Sequence, residues 1–540
     1  MKKIYILFAF LALFTAWSCT DMEEINTDPD NPLEIPSNMV FSGAQKRIMD
    51  FVYDNWFGGR QCLLYSQYWA QINYTEEDRY QIRESVNNNY FNDFYRCLAA
   101  LDRVIELNTN PETAWISSGF GANQNQIAAS RILKCWLYLL MTDTWGDIPY
   151  SEAGKLAQGV YYPKYDDQKT LYDALISELK AAAAQIDEDE PAFIGGDRIY
   201  DGDAAKWKKF ANSLQCRIAV HTSKVDANWK KIITDAIANG VFESNDDAAA
   251  YHYSTVAPEY CHFYEGTYIE ARNDFTMTRP FMDILKGQRD TLNNKQHPWD
   301  GVTDPRLYIF TTPGEENTYI GQPYGASSDI ASNYSDKAPD WGSNPPVHLQ
   351  ADYPVPLMTY AELQFIISEY KGFSEEEYRN GIAASLDYWA SVSKTAIESD
   401  DANNYIDTVI ALGGVNAETV ALQKYIDLYT NGTEAWTEIR RTGYPKQLIS
   451  PNEIIIASSE RLDAEQPDDP ADVADDVKFD PLSEVKGLII ARVKYPTLES
   501  TVNGKSWDAA VSRLKDGTNN YYSQMFWDKR STTVPHPANK

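Results

Sequence analysis

The sequence predicts an all-α protein of stacked helical hairpins that carries one large irregular, loop-rich face. Three observations predict it. Apolar residues recur at the 3.6-residue spacing of a buried helix face through most of the chain. The first four of these stretches begin about 35 to 45 residues apart, near the period of repeated helix pairs. Between about 240 and 355 the periodicity fades, and Gly, Pro, Asn and Tyr dominate.

The N-terminus is read separately. Lys2 and Lys3 precede an apolar run from Ile4 to Phe14. That run is too short to span a bilayer comfortably and has the length of a signal-peptide core. Ala16-Trp17-Ser18-Cys19 follows, with a small residue directly before a cysteine, as in a bacterial lipobox. Residues 1–18 therefore read as a lipoprotein signal peptide and Cys19 as the acylated first mature residue. Several acyl chains together hold a protein stably, since each buried CH₂ contributes roughly 0.8 kcal/mol. Ordinary cleavage after Ser18 is the alternative, and it would give a soluble secreted product. Residues 19–40 form the anchor and a tether, extended by Pro29, Pro32 and Pro36.

Residues 41–540 read as a single helical domain. The stripe Phe91, Phe94, Tyr95, Leu98, Leu101, Ile105 predicts a helix over 90–107. Ile127, Leu133, Trp136, Leu137 and Leu140 predict one over 126–141, and Leu171, Leu175, Ile176, Leu179, Ala183 and Ile186 one over 170–186. Trp207, Phe210, Leu214 and Ile218 mark another over 204–221. A short segment is expected at 279–287, and further helices at 358–370, 375–391, 416–430 and 433–441. Residues 459–486 are rich in Asp, Glu and Pro and read as a solvated loop, without the twelve-residue pattern of a calcium loop.

Composition excludes several functions. A net charge of −30 repels phosphate backbones and anionic membrane surfaces, so nucleic acid is not an expected partner. Beyond Cys19 the cysteines (Cys62, Cys97, Cys135, Cys216, Cys261) are odd in number and show no C-x-x-C spacing. They read as small buried hydrophobes, not as a disulfide framework. Without H-E-x-x-H or clustered histidines no metal or cofactor is expected. No G-x-S-x-G, P-loop or Cys/His signature is present, so no catalytic residue is assigned and the chain is not expected to be an enzyme. Among 78 acidic residues a chance carboxylate pair is always available, so a glycosidase reading carries no weight.

Ordered motifs then carry a resemblance. They run from Ile25-Asn26-Thr27-Asp28-Pro29 through Thr142-Asp143-Thr144-Trp145-Gly146-Asp147-Ile148-Pro149-Tyr150 to Asp197-Arg198-Ile199-Tyr200-Asp201-Gly202-Asp203. Asp304-Pro305-Arg306-Leu307, Met358-Thr359-Tyr360-Ala361-Glu362, Glu438-Ile439-Arg440-Arg441-Thr442-Gly443, Arg492-Val493-Lys494-Tyr495-Pro496 and Phe526-Trp527-Asp528 follow. In this order, behind a lipobox, the chain resembles the SusD/RagB family of outer-membrane lipoproteins. Asp201 stands where the family often has Gly, and Phe526 where it often has Trp. The resemblance implies tetratricopeptide-like helix pairs and an irregular face that binds a nutrient, usually an oligosaccharide. It also implies a SusC-like TonB-dependent outer-membrane transporter as partner, and a place at the cell exterior. A peptide-binding or protein-interaction scaffold remains the alternative.

Sugars offer apolar C–H faces and rings of hydroxyls, so their sites combine aromatic platforms with Asp, Asn, Gln or Arg. Two segments supply aromatics outside the helical stripes. The first holds Trp69, Gln71, Asn73, Tyr74, Asp78, Arg79 and Tyr80. The second holds Tyr319, Tyr324, Tyr334, Trp341 and Asn344. The resemblance implies ligand contacts in these two broad regions.

Overall fold

The structure, a computed structural model, describes residues 35–531. Cys19, the signal peptide and most of the tether lie outside the described residues. The first helices are α1 (Ser37–Val52), α2 (Glu84–Thr109), α3 (Asn123–Trp145), α4 (Gln168–Gln185), α5 (Ala204–His221) and α6 (Trp229–Ala238). Each packs on the next, and this run of neighbours is the predicted stack of hairpins. A second set follows: α7 (Tyr360–Tyr370), α8 (Glu375–Ser393), α9 (Ser399–Gly413), α10 (Ala417–Asp427) and α11 (Gly432–Thr442). Contact between α5 and α7 joins the sets.

Local chemistry explains the boundaries. Asp167 and Asp203 cap α4 and α5 by accepting from the backbone N–H of Thr170 and Lys206. Asn416 and Thr419 form a reciprocal capping box at α10. On α2 the buried side is Phe91, Phe94, Leu98, Leu101 and Val104, one stripe with solvent behind it. In α3 every residue from Cys135 to Trp145 is buried, which marks it as the central helix. Gly146, at φ +91°, then turns the chain where a side chain would be strained. Helices α6 and α9 are missing from the sequence reading. They bury only Ile233 and Ala236, and Tyr405, Ile406 and Val409, so their stripes are too narrow to stand out.

Among the described residues, strands occur in two-stranded antiparallel pairs, two of which join segments distant in sequence. β1 (Trp69–Gln71) pairs with β5 (Phe275–Met277), and β2 (Ile148–Pro149) with β3 (Tyr165–Asp166). β4 (Ala249–Tyr251) pairs with β6 (Val355–Met358), which closes the irregular region at its two ends. β7 (Ile454–Ile456) pairs with β8 (Val477–Lys478). The segment read as a solvated loop at 459–486 is thus partly regular: it holds β8 and most of a helix at Ser458–Glu465.

The family-like motifs are core. Arg306 and Asp304 are fully buried and joined by two hydrogen bonds of 2.9 and 2.6 Å. Arg217 grips Glu362 the same way, at 2.7 and 2.6 Å. Asp197 accepts from Gln45, Trp207 and three backbone N–H groups. Arg440 donates to the carbonyls of Asp143 and Ala491. Cys62, Cys97, Cys135, Cys216 and Cys261 are free and buried. Burial pushes the thiols of Cys62, Cys97, Cys216 and Cys261 up to about 12, which leaves them unreactive.

Candidate ligand-binding face

Two π-helical turns build one face of the irregular half. The first, Asn55–Leu63, starts at Asp54, whose carboxylate accepts from the backbone N–H of Trp56, Phe57 and Gly58 at 3.0, 2.7 and 3.2 Å. The Gly59 N–H bonds the Asp54 carbonyl at 2.7 Å, the i→i+5 step of a π-helix. Burial pushes the Asp54 carboxyl up to about 7, although Tyr90 and the three N–H groups favour its charged form. The second turn, Glu265–Ile269, closes with Glu270 N–H to the Glu265 carbonyl at 2.9 Å. The turns lie against each other: a Cβ on Gly266 would stand 2.1 Å from Asn55 Nδ2. π-Helical turns recur at functional sites because the extra residue re-aims side chains.

Beside them, β1 and β5 bring the two candidate segments together. Trp69 faces Met277 and Gln71 faces Phe275 in register, and Ile72 N–H extends the pairing to the Asp274 carbonyl at 2.9 Å. Thr276 donates to the Pro339 carbonyl at 2.8 Å, which holds the 340–344 stretch alongside. Trp69 and Trp341 meet with ring centroids 5.4 Å apart, and His348 lies 5.1 and 4.8 Å from them. This is a buried floor, with Trp69 and Trp341 only 1% and 2% exposed.

A polar layer lies above the floor. Tyr74 is 57% exposed, with the Arg272 guanidinium 6.0 Å from its ring. Asn73 donates to the Asn273 carbonyl, and Asn273 in turn donates to Asp340 at 3.3 Å. The Tyr268 hydroxyl donates to the Trp341 carbonyl at 2.8 Å. Half-buried Trp56 is flanked by Arg60, Arg83 and Arg272. Exposed Asn344 ends this layer.

Several sequence candidates are corrected. Trp69, Trp341, Tyr80, Tyr324 and Tyr334 are buried and offer no open stacking surface. They lie outside helical stripes because irregular segments also need packing. Tyr80 and Tyr324 pack around Phe479. Gln71 is spent on Glu77 and the Glu77 and Asp78 N–H groups. Asp78 is fully buried, which raises its carboxyl well above the usual range. Arg79 Nε donates to the Thr75 carbonyl at 3.0 Å, and half-buried Tyr319 packs edge-on against exposed Tyr308. Asn73, Tyr74 and Asn344 alone among the candidates stand exposed on the shared face. The sequence reading missed Trp56, Arg83, Tyr268, Arg272 and Asp340. The visible signal was Asn55-Trp56-Phe57-Gly58-Gly59-Arg60, which breaks helical spacing with two glycines beside a tryptophan.

A cleft of about 810 Å³ lies elsewhere, between the Asp197–Asp201 turn, β4 and the end of α8. Its aromatics Tyr200 and Tyr388 are buried at 7% and 8% exposure, so it offers no open platform. Volume therefore favours that cleft, and sugar chemistry favours the Tyr74 face. Among the described residues, only His221, Glu434 and Glu438 are spaced like metal ligands. Arg217, Lys424 and Arg441 already neutralise these carboxylates, so the group does not fit a cation.

The comparisons agree with this architecture. A family model described as "Starch-binding associating with outer membrane" (SusD-like) matches residues 29–460. A SusD homolog from Parabacteroides distasonis superposes with TM-score 0.71 at 21% identity, covering 93% of this chain and 99% of its own. A chitin-binding protein gives 0.69 at 23%, covering 91% and 99%. A chitin-binding SusD homolog from Flavobacterium johnsoniae gives 0.66 at 22%, covering 91% and 98%. None of the curated proteins compared is significantly similar. With most of the chain matched by the family model, this protein belongs to the SusD-like family.

Proposed function

We propose that this protein captures a nutrient glycan at the cell surface and passes it, uncut, to a SusC-like TonB-dependent transporter in the outer membrane. Acylated Cys19 anchors it there, facing the exterior. One observation carries the reading: exposed Tyr74 stands among Asn73, Arg272, Asn273 and Asp340, over a rigid floor of Trp69 and Trp341. An aromatic platform rimmed by amide and charged groups is what a sugar ring requires. Two structural relatives are named for chitin binding, which fits a glycan ligand. Trp56, Asn73, Tyr74, Tyr268, Arg272 and Asn344 are the proposed contact residues.

The test is a glycan-panel binding screen of residues 20–540, with released sugars assayed in parallel. Saturable binding without product, abolished by Tyr74→Ala, is the expected result. Hydrolysis would overturn the reading. Binding of peptides and of no glycan would favour the scaffold alternative.

A further inference from the structure

The same face presents an unequal set of hydrogen-bonding groups. Three guanidiniums surround the Trp56 indole, Arg60 at 4.3 Å, Arg83 at 5.9 Å and Arg272 at 6.0 Å from the ring centroid. Two carboxylates serve them. Glu77 accepts from Arg83 Nε at 2.5 Å and lies 3.8 Å from Arg60. Asp274 accepts from Arg60 at 2.5 Å and from Arg272 Nε and Nη2 at 3.1 and 2.8 Å. The side chains of Glu77 and Asp274 are 5% and 7% exposed, whereas those of Arg83 and Arg272 are 45% and 40% exposed. The acids and Arg60 lie beneath, and the Arg83 and Arg272 guanidiniums lie above. Both Nη groups of Arg83 and Nη1 of Arg272 make no hydrogen bond within the described residues.

The remaining groups on the face are neutral or already engaged, apart from one acid. The Asn73 and Asn273 side chains donate to the Asn273 carbonyl and to Asp340, and they present their amide oxygens as acceptors. The Asp340 carboxylate is already occupied by the Ser343 hydroxyl, the N–H groups of Gly342 and Ser343 and the Asn273 amide, and these bonds hold its carboxyl below the usual range. Glu270, two positions before Arg272, is an exposed acid that makes no ion pair among the described residues and is the one free carboxylate named on this face. A neutral sugar hydroxyl seeks an acceptor as well as a donor. Neutral acceptors are present on this face, but the free N–H groups beside Trp56 and Tyr74 are those of the charged Arg83 and Arg272.

We propose that the face takes an anionic glycan, one bearing carboxylate or sulfate groups, with Arg83 and Arg272 as the residues that select for charge. The proposal rests on the binding-face reading above. A planar guanidinium matches a carboxylate or sulfate with two parallel hydrogen bonds, and charge-assisted bonds of this kind are the stronger ones. Trp56 and Tyr74 would carry the apolar faces of adjoining rings. The chain's net charge of −30 repels such a ligand at long range, so selectivity comes from these short contacts. Salt therefore acts on both attraction and repulsion and is a poor diagnostic, whereas matched ligands are a good one.

The experiment is calorimetric titration of residues 20–540 with oligogalacturonates, the same oligomers methyl-esterified, chondroitin sulfate oligosaccharides, and neutral chito- and malto-oligosaccharides. At least one charged probe is expected to bind, and removing its charge should weaken binding roughly ten-fold or more. Arg272→Ala and Arg83→Ala should each cost roughly ten-fold, and Arg272→Lys should recover part of that loss. Arg272→Ala leaves Asp274 paired with Arg60, so melting temperature should stay close to the parent's. A neutral probe whose binding is lost in Tyr74→Ala but unchanged in Arg272→Ala and Arg83→Ala overturns the anionic class and leaves the face intact. Binding that survives Tyr74→Ala overturns the face itself. Failure of every charged probe also overturns the proposal.

Discussion

Arginine clusters occur in two regions of this molecule, and they are built to opposite rules. In the helical core, Arg217, Arg306 and Arg441 are at most 2% exposed and each grips a carboxylate with two hydrogen bonds. Around Trp56 the carboxylates are buried, and two of the three guanidiniums are left partly in water. Taking a charge out of water is costly unless its partner goes with it, so the core pairs are complete. The surface set is complete only underneath, and its outward N–H groups remain for something else. Equal residue types thus do different work according to which member of the pair is buried.

Breaking the core pattern should have the largest effect. Arg217→Ala strands Glu362, which is fully buried, and removes a cation 3.6 Å from Glu434. Loss of one member of a buried pair costs about 3–5 kcal/mol. Urea unfolding of the variant should show a markedly lower midpoint, and an unchanged midpoint would mean that the pair contributes little. Trp69→Ala sharpens the comparison from the other side. The residue lies in an irregular segment, yet it packs on Phe263, Phe275, Trp341 and His348. Truncating such an indole costs about 3–5 kcal/mol, so lost binding in this variant would report lost packing. Equal melting temperatures for parent and variant would contradict that placement.

The two regions also titrate with opposite sign. In the core, burial pushes the Glu434 carboxyl up, but His221 and Arg217 outweigh it and hold the group below its ordinary 4.5. A depressed carboxylate contributes stability above its unfolded pKa, and that contribution is lost as pH falls from about 4.5. At the face, Asp54 has no such cation and stands at about 7 instead of 3.8. Its contribution is full below 3.8 and is lost as pH rises toward about 7. Denaturant titrations across pH should therefore show Glu434→Gln weakening the protein at neutral pH and converging with the parent in acid. Asp54→Asn should instead gain on the parent between pH 4 and 7. Parallel curves for either variant would remove that group from the pH dependence.

What the sequence revealed follows the same division. Stripes such as Phe91, Phe94, Leu98 and Leu101 were legible because a helix repeats its buried side every turn. The convergence of residues 69–80 with 340–344 was legible only as two suspicious segments, since β1 and β5 are three residues each and their partners lie some 200 positions apart. Which aromatic faces water was not legible at all. Trp69 and Tyr74 stand five positions apart in similar polar surroundings, and only the tertiary fold places one in the floor and the other above it. Trp56 stayed hidden because the π-helical turn carrying it matches neither the helical nor the strand period.

Tyr74→Ala is the smallest perturbation of the fold and the most telling for function. Tyr74 is 57% exposed and sits at φ +57°, a left-handed conformation that a tyrosine adopts at a cost. Its hydroxyl makes no hydrogen bond within the described residues, and the Arg272 guanidinium at 6.0 Å is its one charged neighbour across the ring. Removing the ring should change stability by no more than about 0.5 kcal/mol, the range of surface substitutions. Tyr74→Gly, which relaxes the backbone, should be at least as stable as the alanine variant. Two variants with parental melting curves and no glycan binding would separate the face from the floor beneath it. A large loss of stability would show instead that the conformation at Tyr74 holds the β1–β5 junction together.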